Sequence, residues 1–211
     1  MNLNKNICII LCYNAEKTIE DFLDRLFKIK FNSSIDFLVL DDCSDDNTSI
    51  ILIKYIEKYN MPNFNYEQNK KNLGFGGNLK KAYDLAITKN YRYLSILHGD
   101  GQYPPEFLNE MYAKLLNSNL VLGSRMIHKK DALKGKMPII RFMGNIFLTS
   151  FQNLFFKQKL SEWHTGFRGL DLQTLKEIPY KLNSDYFHID TQILLQFIIR
   201  GKKISEFPIP T

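Results

Sequence analysis

An aspartate held between two glycines and followed by an amide ends an apolar run in "LSILHGDGQYP", residues 94–104. Asp100 and Gln102 offer oxygens to a hard cation or a phosphate-bearing ligand, and the glycines let the backbone turn sharply and a ligand come close. His98 adds an imidazole that either ligates Mn²⁺ or packs. A second stretch, "SEWHTGFRGL", sets Glu162, His164 and Arg168 within seven residues. A carboxylate there suits deprotonation of an incoming hydroxyl, and an arginine suits negative charge that grows during a reaction. Plainer readings stand beside these: Asp100 as a turn acid, Arg168 in a structural ion pair, Glu162 as a capping or surface acid, Trp163 and His164 as packing residues. Asp190 in "FHIDTQ" reads equally as a helix N-cap and as a contact to a ligand or to the loop holding Glu162.

These residues need elements to hold them. Apolar runs at 6–12, 35–42, 64–69, 91–100 and 119–125 read as strands. Helical spacing separates them, as in "YNAEKTIEDFLDRLFKI", "TSIILIKYIEKYN" with Asp46 or Asn47 as its cap, and "NLGFGGNLKKAYDLAI". Alternating strand and helix with strands apolar throughout predicts a parallel sheet covered on both faces. Ligands then gather at the carboxyl ends of the strands. Those ends read Cys12-Tyr13-Asn14, Asp41-Asp42, Asn69 to Asn72, His98-Gly99-Asp100 and Ser124-Arg125. "GFGGN" lacks the G-x-G-x-x-G spacing and a ribose-binding acid about 20 residues on, which disfavours a dinucleotide-binding dehydrogenase.

The chain has 211 residues, 45% hydrophobic and 24% charged, enough apolar material for one full core. Its formal charge of +6 suits an anionic partner: a nucleotide, a nucleic acid or an acidic membrane. Cys8, Cys12 and Cys43 form no CxxC and no His/Cys cluster, and read as reduced thiols. The first 20 residues do not read as a secretory signal, and no stretch is long and apolar enough to span a bilayer. After Arg125 the pattern changes. Lys129, Lys130, Lys134, Lys136 and Arg141 crowd a short span, and residues 138–158 follow with a broad apolar helical face. That segment reads either as a core helix or as a helix at a membrane surface with lysines on anionic headgroups.

The stretches "IILCYNAEKTI", "FLVLDDCSDDNT", "NKKNLGFGGNLKKA", "LSILHGDGQYPPE", "LVLGSRM", "RFMGN", "SEWHTGFRGL" and "FHIDTQILLQFIIRGKKISEFPI" together resemble the family 2 glycosyltransferases of GT-A fold, especially the dolichyl-phosphate mannosyltransferase-like branch that acts on polyprenyl phosphates. The resemblance covers nearly the whole chain. It implies an α/β, Rossmann-like GT-A domain with a mostly parallel central sheet flanked by helices. Residues 1–125 would be the nucleotide-binding half and 126–211 the acceptor-side half of a single domain. It also implies a UDP- or GDP-linked sugar donor, Mg²⁺ or Mn²⁺, inversion at the anomeric carbon, and no nucleic acid partner. Leu11, Tyr13, Asn14, Glu16, Asp41, Asp42, Ser44, Gly74, Gly77, Asn78 and Gly99 fall at donor-binding positions, with Gly74–Asn78 as a loop. Asp100, Gln102 and His98 fall at the metal, Arg125 and Arg168 face phosphate, and Glu162, Arg168 and Asp190 are the catalytic candidates.

Two positions depart from the family pattern: His98 stands where an acid is usual and Leu11 where a proline is usual. The acceptor implied is a polyprenyl phosphate at the cytoplasmic face of a membrane, with peripheral contact through 126–157. The alternatives are a hydroxyl of a glycan or lipid-linked saccharide, and a nucleotide-sugar-binding domain without catalysis, which the loss of an acid at 98 motivates. The chain ends at "EFPIPT", where family members usually continue, often into membrane helices.

Overall fold

The protein is described by a computed structural model covering residues 5–135 and 137–210. The first five strands form close to where the apolar runs place them: β1 (Asn6–Cys12), β2 (Ile35–Asp41), β3 (Phe64–Gln68), β4 (Tyr93–His98) and β5 (Leu120–Ser124). Between them lie α1 (Ile19–Leu26), α2 (Thr48–Tyr59), α3 (Gly74–Thr88) and α4 (Leu108–Leu115). The remaining elements are α5 (Lys129–Lys134), α6 (Ile139–Phe156), β6 (Arg168–Asp171), α7 (Leu172–Lys176), α8 (Ile189–Ile199) and β7 (Ile204–Pro208).

The seven strands form one sheet in the order β3-β2-β1-β4-β6-β5-β7. All pairs are parallel except those of β6, which runs antiparallel between β4 and β5. Every residue of β1 is buried, because helices cover both faces. One face carries a core around Phe22, Phe37, Leu97, Met111 and Phe167, the other a core around Ile9, Leu40, Tyr83, Trp163 and Phe197. Register sets the site. Cys12 pairs with Asp41, and Leu11 with His98, so the carboxyl ends of β1, β2 and β4 lie level.

Several expectations are corrected. Gly74–Asn78 is not a loop but the first turn and a half of α3. The cap of helix α2 is as expected: Asn47 holds the cap position and the Asp46 side chain does the capping, its Oδ1 accepting from Thr48 N. Asp190 is not an N-cap; His188 holds that position and Asp190 sits in the first turn of α8. The core-helix reading of 138–158 fails: Thr149 is the buried residue of α6, while Ile139, Ile140, Met143, Phe147, Leu154 and Phe155 are all more than half exposed. Among the described residues no helix is long and apolar enough to cross a membrane. Lys136, counted in the basic run, lies outside the described residues.

Candidate functional site

A cleft of about 740 Å³ opens at the level carboxyl ends of β1, β2 and β4, a volume typical of small-molecule sites. Its walls bring together Leu11, Tyr13, Asn14, Glu16, Asp42, Gly74, Asn78, His98 and Asp100. The loops after β1 and β2 are laced to each other. Asn14 N donates to Ser44 Oγ at 2.9 Å, Asp45 N to Asn14 Oδ1 at 3.0 Å, Glu16 N to Asp46 Oδ2 at 3.1 Å, and Asn47 N to Glu16 Oε2 at 3.1 Å. Ordered loops of this kind hold a ligand with little further entropy loss on binding.

The paired acids at the end of β2 divide their work. Asp41 is fully buried and accepts from the Ser44 backbone N–H and hydroxyl, from Tyr66 Oη at 3.1 Å and from Gln68 Nε2 at 3.0 Å. It secures the sheet edge and does not line the cleft. Asp42 does. Its Oδ1 accepts from Asn69 Nδ2 at 2.7 Å and Leu73 N at 2.9 Å, and Oδ2 has no partner among the described residues. Ser44 braces Asp41, and Gly77 lies in a neighbouring groove. Gly99 packs against Cys12, whose Sγ would lie 2.2 Å from any Cβ there.

Asp100 is exposed on the cleft wall, and its Oδ1 accepts from Gln102 N at 3.0 Å. The same loop carries Gly101 and Gln102 into a second cavity of about 380 Å³, lined also by Arg25, Arg125, Met137, Pro138 and Arg141. Gln102 is therefore not on the cleft wall with Asp100 and His98. His98 is half-buried between Phe75 and Tyr103, both edge-on at 5.6 and 5.2 Å. Burial draws its pKa below the ordinary imidazole value, against the smaller upward pull of Asp100 and Asp190. Its Nε2 is buried without a hydrogen-bond partner among the described residues. No group of three or more His, Cys, Asp or Glu converges among the described residues. One exposed carboxylate nevertheless fits a Mg²⁺ or Mn²⁺ that arrives shared with a diphosphate, since such ions keep phosphate oxygens and waters in their shell.

The three catalytic candidates do not line the cleft. Glu162 is fully buried and accepts from Arg125 Nη2 at 2.6 Å, Arg125 N at 2.8 Å and Asn145 Nδ2 at 3.1 Å. Burial pulls the Arg125 guanidinium down, but Glu162 and Tyr103 together outweigh it and hold the pKa up. Arg168, 1% exposed, donates to the carbonyls of Thr165, Trp163 and Asp190, with Asp190 Oδ1 3.6 Å away. Trp163 is buried with Nε1 on Asn153 Oδ1 at 2.9 Å, which makes it a packing residue. Asn72, at an expected strand end, and Phe75, within the expected Gly74–Asn78 stretch, also line the cleft, whereas sequence reasoning missed Thr18, Tyr186 and Phe187, which line it too. The adjacent aromatics of "NSDYFHID" were the available signal, two large apolar side chains inside a polar segment.

The profile of a family described as Glycosyl transferase family 2 matches residues 7–178. An uncharacterised protein of Methanocaldococcus jannaschii is 30% identical over 95% of this chain and 85% of its own length. The UDP-N-acetylglucosamine–dolichyl-phosphate N-acetylglucosaminyltransferase of Methanococcus voltae is 28% identical over 96% of this chain and 84% of its own. Two solved structures share the fold. S. aureus TarS 1-349 in complex with UDP-GlcNAc has a TM-score of 0.63 at 19% identity, covering 96% of this chain and 56% of that one. Glucosyl-3-phosphoglycerate synthase from Mycobacterium tuberculosis, with Mn²⁺, UDP and phosphoglyceric acid, has a TM-score of 0.65 at 15% identity, covering 97% and 68%.

Proposed function

The chain belongs to glycosyl transferase family 2, and from that membership we propose that it moves a sugar from a nucleoside diphosphate to the phosphate of a polyprenyl-phosphate acceptor. The observation that carries the acceptor is the cavity beside the cleft. Arg25, Arg125 and Arg141 line it, and Met137 and Pro138 on its rim lead directly into the exposed apolar helix α6. Arg25 is held bidentately by Glu106 at 3.0 and 2.9 Å and Arg125 by Glu162 at 2.6 Å, so Arg141 would bring the further positive charge. An arginine-lined pocket joined to an apolar surface suits an anionic head on an apolar tail. The methanococcal relative is named for UDP-N-acetylglucosamine and dolichyl phosphate, which supports UDP and N-acetylglucosamine as the donor to try first, before GDP-linked sugars.

In this reading Leu11, Tyr13, Asn14 and Asp42 hold the nucleoside, and Asp100 would meet the diphosphate end through a divalent cation shared with it. A Mg²⁺ or Mn²⁺ held there would supply charge neutralisation for the leaving diphosphate. Arg125, fixed by Glu162, and Arg141 orient the acceptor phosphate on the other side of the 99–103 loop. A phosphate monoester with a second pKa near 6 is already mostly ionised at neutral pH, so no side chain need remove a proton. That agrees with the engagement of Glu162 elsewhere and disfavours a glycan hydroxyl as acceptor. Helix α6, with Lys157 and Lys159 just beyond it, would lie against an anionic membrane face, placing the enzyme on the cytoplasmic side where the donor is found.

The test is transfer from UDP-N-acetylglucosamine to a short polyprenyl phosphate, with the matching polyprenol and a free glycan as controls. Product only with the phosphate supports the proposal, and product with the polyprenol or the glycan replaces it. Arg141→Ala should raise KM for the acceptor by about tenfold, the worth of one charge-assisted hydrogen bond, and leave UDP affinity unchanged. An unaltered acceptor KM would remove Arg141 from the acceptor site.

A further inference from the structure

Residues 183–188 form a strap that closes one side of the cleft, and its attachment is unusually dense. Lys80 Nζ donates to the Asn183 carbonyl at 2.8 Å and pairs with Asp185 Oδ1 at 2.6 Å. Ser184 N donates to Gln192 Oε1 at 2.8 Å, and the amides of Asn183 and Gln196 bond reciprocally at 3.2 and 2.8 Å. Gly76 N donates to the Asp185 carbonyl at 2.8 Å. A Cβ on Gly76 would lie 2.4 Å from the Ser184 carbonyl oxygen and 2.6 Å from Asp185 C. Glycine here serves the approach of strap to helix.

What this anchoring delivers is a pair of aromatic rings that the fold does not bury. Tyr186 and Phe187 are 71% and 75% exposed, and both line the cleft. Phe187 stacks on Phe75 with centroids 4.8 Å apart and planes at 20°, and Phe75 stands edge-on to His98. A large exposed aromatic contributes little to folding, so a rigid scaffold that presents two of them at a cleft points to a ligand.

Resting on the donor reading above, we propose that the strap is the sugar-recognition element: Phe187, with Tyr186 and Phe75, forms the wall against which the transferred hexosyl ring packs. The wall reaches His98, two residues from Asp100, where the diphosphate end is assigned, and the unit beyond a diphosphate is the sugar. The apolar C–H face of a pyranose suits a flat aromatic wall. The hydroxyls face the polar side of the cleft, where Asp100 and Thr18 stand.

The experiment is calorimetric titration with UDP and with UDP-N-acetylglucosamine, each with Mn²⁺, repeated with GDP and GDP-mannose, on the whole chain and on Phe187→Ala. Phe187→Ala should keep its melting temperature, since the ring is exposed. It should bind the nucleoside diphosphate within about twofold of wild type and the nucleotide sugar about tenfold more weakly. Gly76→Ala, which displaces the strap without removing an aromatic, should give the same selective loss. Equal weakening of nucleotide and nucleotide sugar would assign the wall to the base and overturn the proposal. So would unchanged binding of both. A wild-type chain that is folded yet binds none of the four ligands would overturn the donor reading as well, whereas a defect confined to the variants' sugar response leaves that reading standing.

Discussion

Glu162→Ala is expected to destabilise the fold by about 3–5 kcal/mol, the usual cost of removing one partner from a buried ion pair. The carboxylate is fully buried and the Arg125 side chain is 10% exposed. Alanine would leave the guanidinium and the Asn145 amide facing each other without an acceptor. Urea unfolding measures the loss, and an unchanged midpoint would mean that the pair is solvated in practice. Glu162→Gln separates this role from a chemical one. The amide can still accept from Arg125 or Asn145, so stability should fall less, and any loss of activity should appear in acceptor KM. A variant that folds normally, keeps its acceptor KM and loses turnover would return Glu162 to the role of base.

Asp100→Ala is expected to lower turnover by roughly 10²–10³-fold, the scale of losing one electrostatic stabiliser of a departing anion, here the cation that Asp100 would hold. It should also remove any Mn²⁺ dependence of UDP affinity. Stability should hardly change, because Asp100 is exposed and its recorded hydrogen bond is local, to Gln102 N. Metal-dependent UDP binding that survives in Asp100→Ala would transfer the ion to other ligands.

The parallel half of the sheet was legible because its strands are buried on both faces and so read as unbroken apolar runs. The cleft was legible for a related reason. Polar residues that end such runs, Asn14, Asp42 and Asp100 among them, must stand at one edge of a parallel sheet. What was illegible depends on side-chain direction or on partners far along the chain. The sequence pair Asp41-Asp42 does not reveal which carboxylate faces Tyr66 and Gln68 across the next strand. Glu162 and Arg168 read as reagents because nothing local shows that Arg125, 37 residues earlier, and the Asp190 carbonyl, 22 residues later, would engage them. Strand β6 escaped notice because "RGLD" has neither the length nor the alternation of a strand. Its glycine lies against Met111, whose Sδ would be 2.5 Å from a Cβ. Helix α6 shows the converse limit: apolar periodicity reports amphipathicity, not what covers the apolar side.

The place of β5 in the sheet governs how the chain can be synthesised. Its strand partners are β6 and β7, through Leu120 to Leu170 and to Ile204. Strands β1 to β4 can pair as they leave the ribosome, but β5 must wait, with both edges bare, until two later segments have emerged. Until then "LVLG" is an unpaired apolar strand, open to chaperones and to association between nascent chains. A fragment stopped at residue 125 is therefore expected to be a poor folder, although it carries most of the residues that line the cleft.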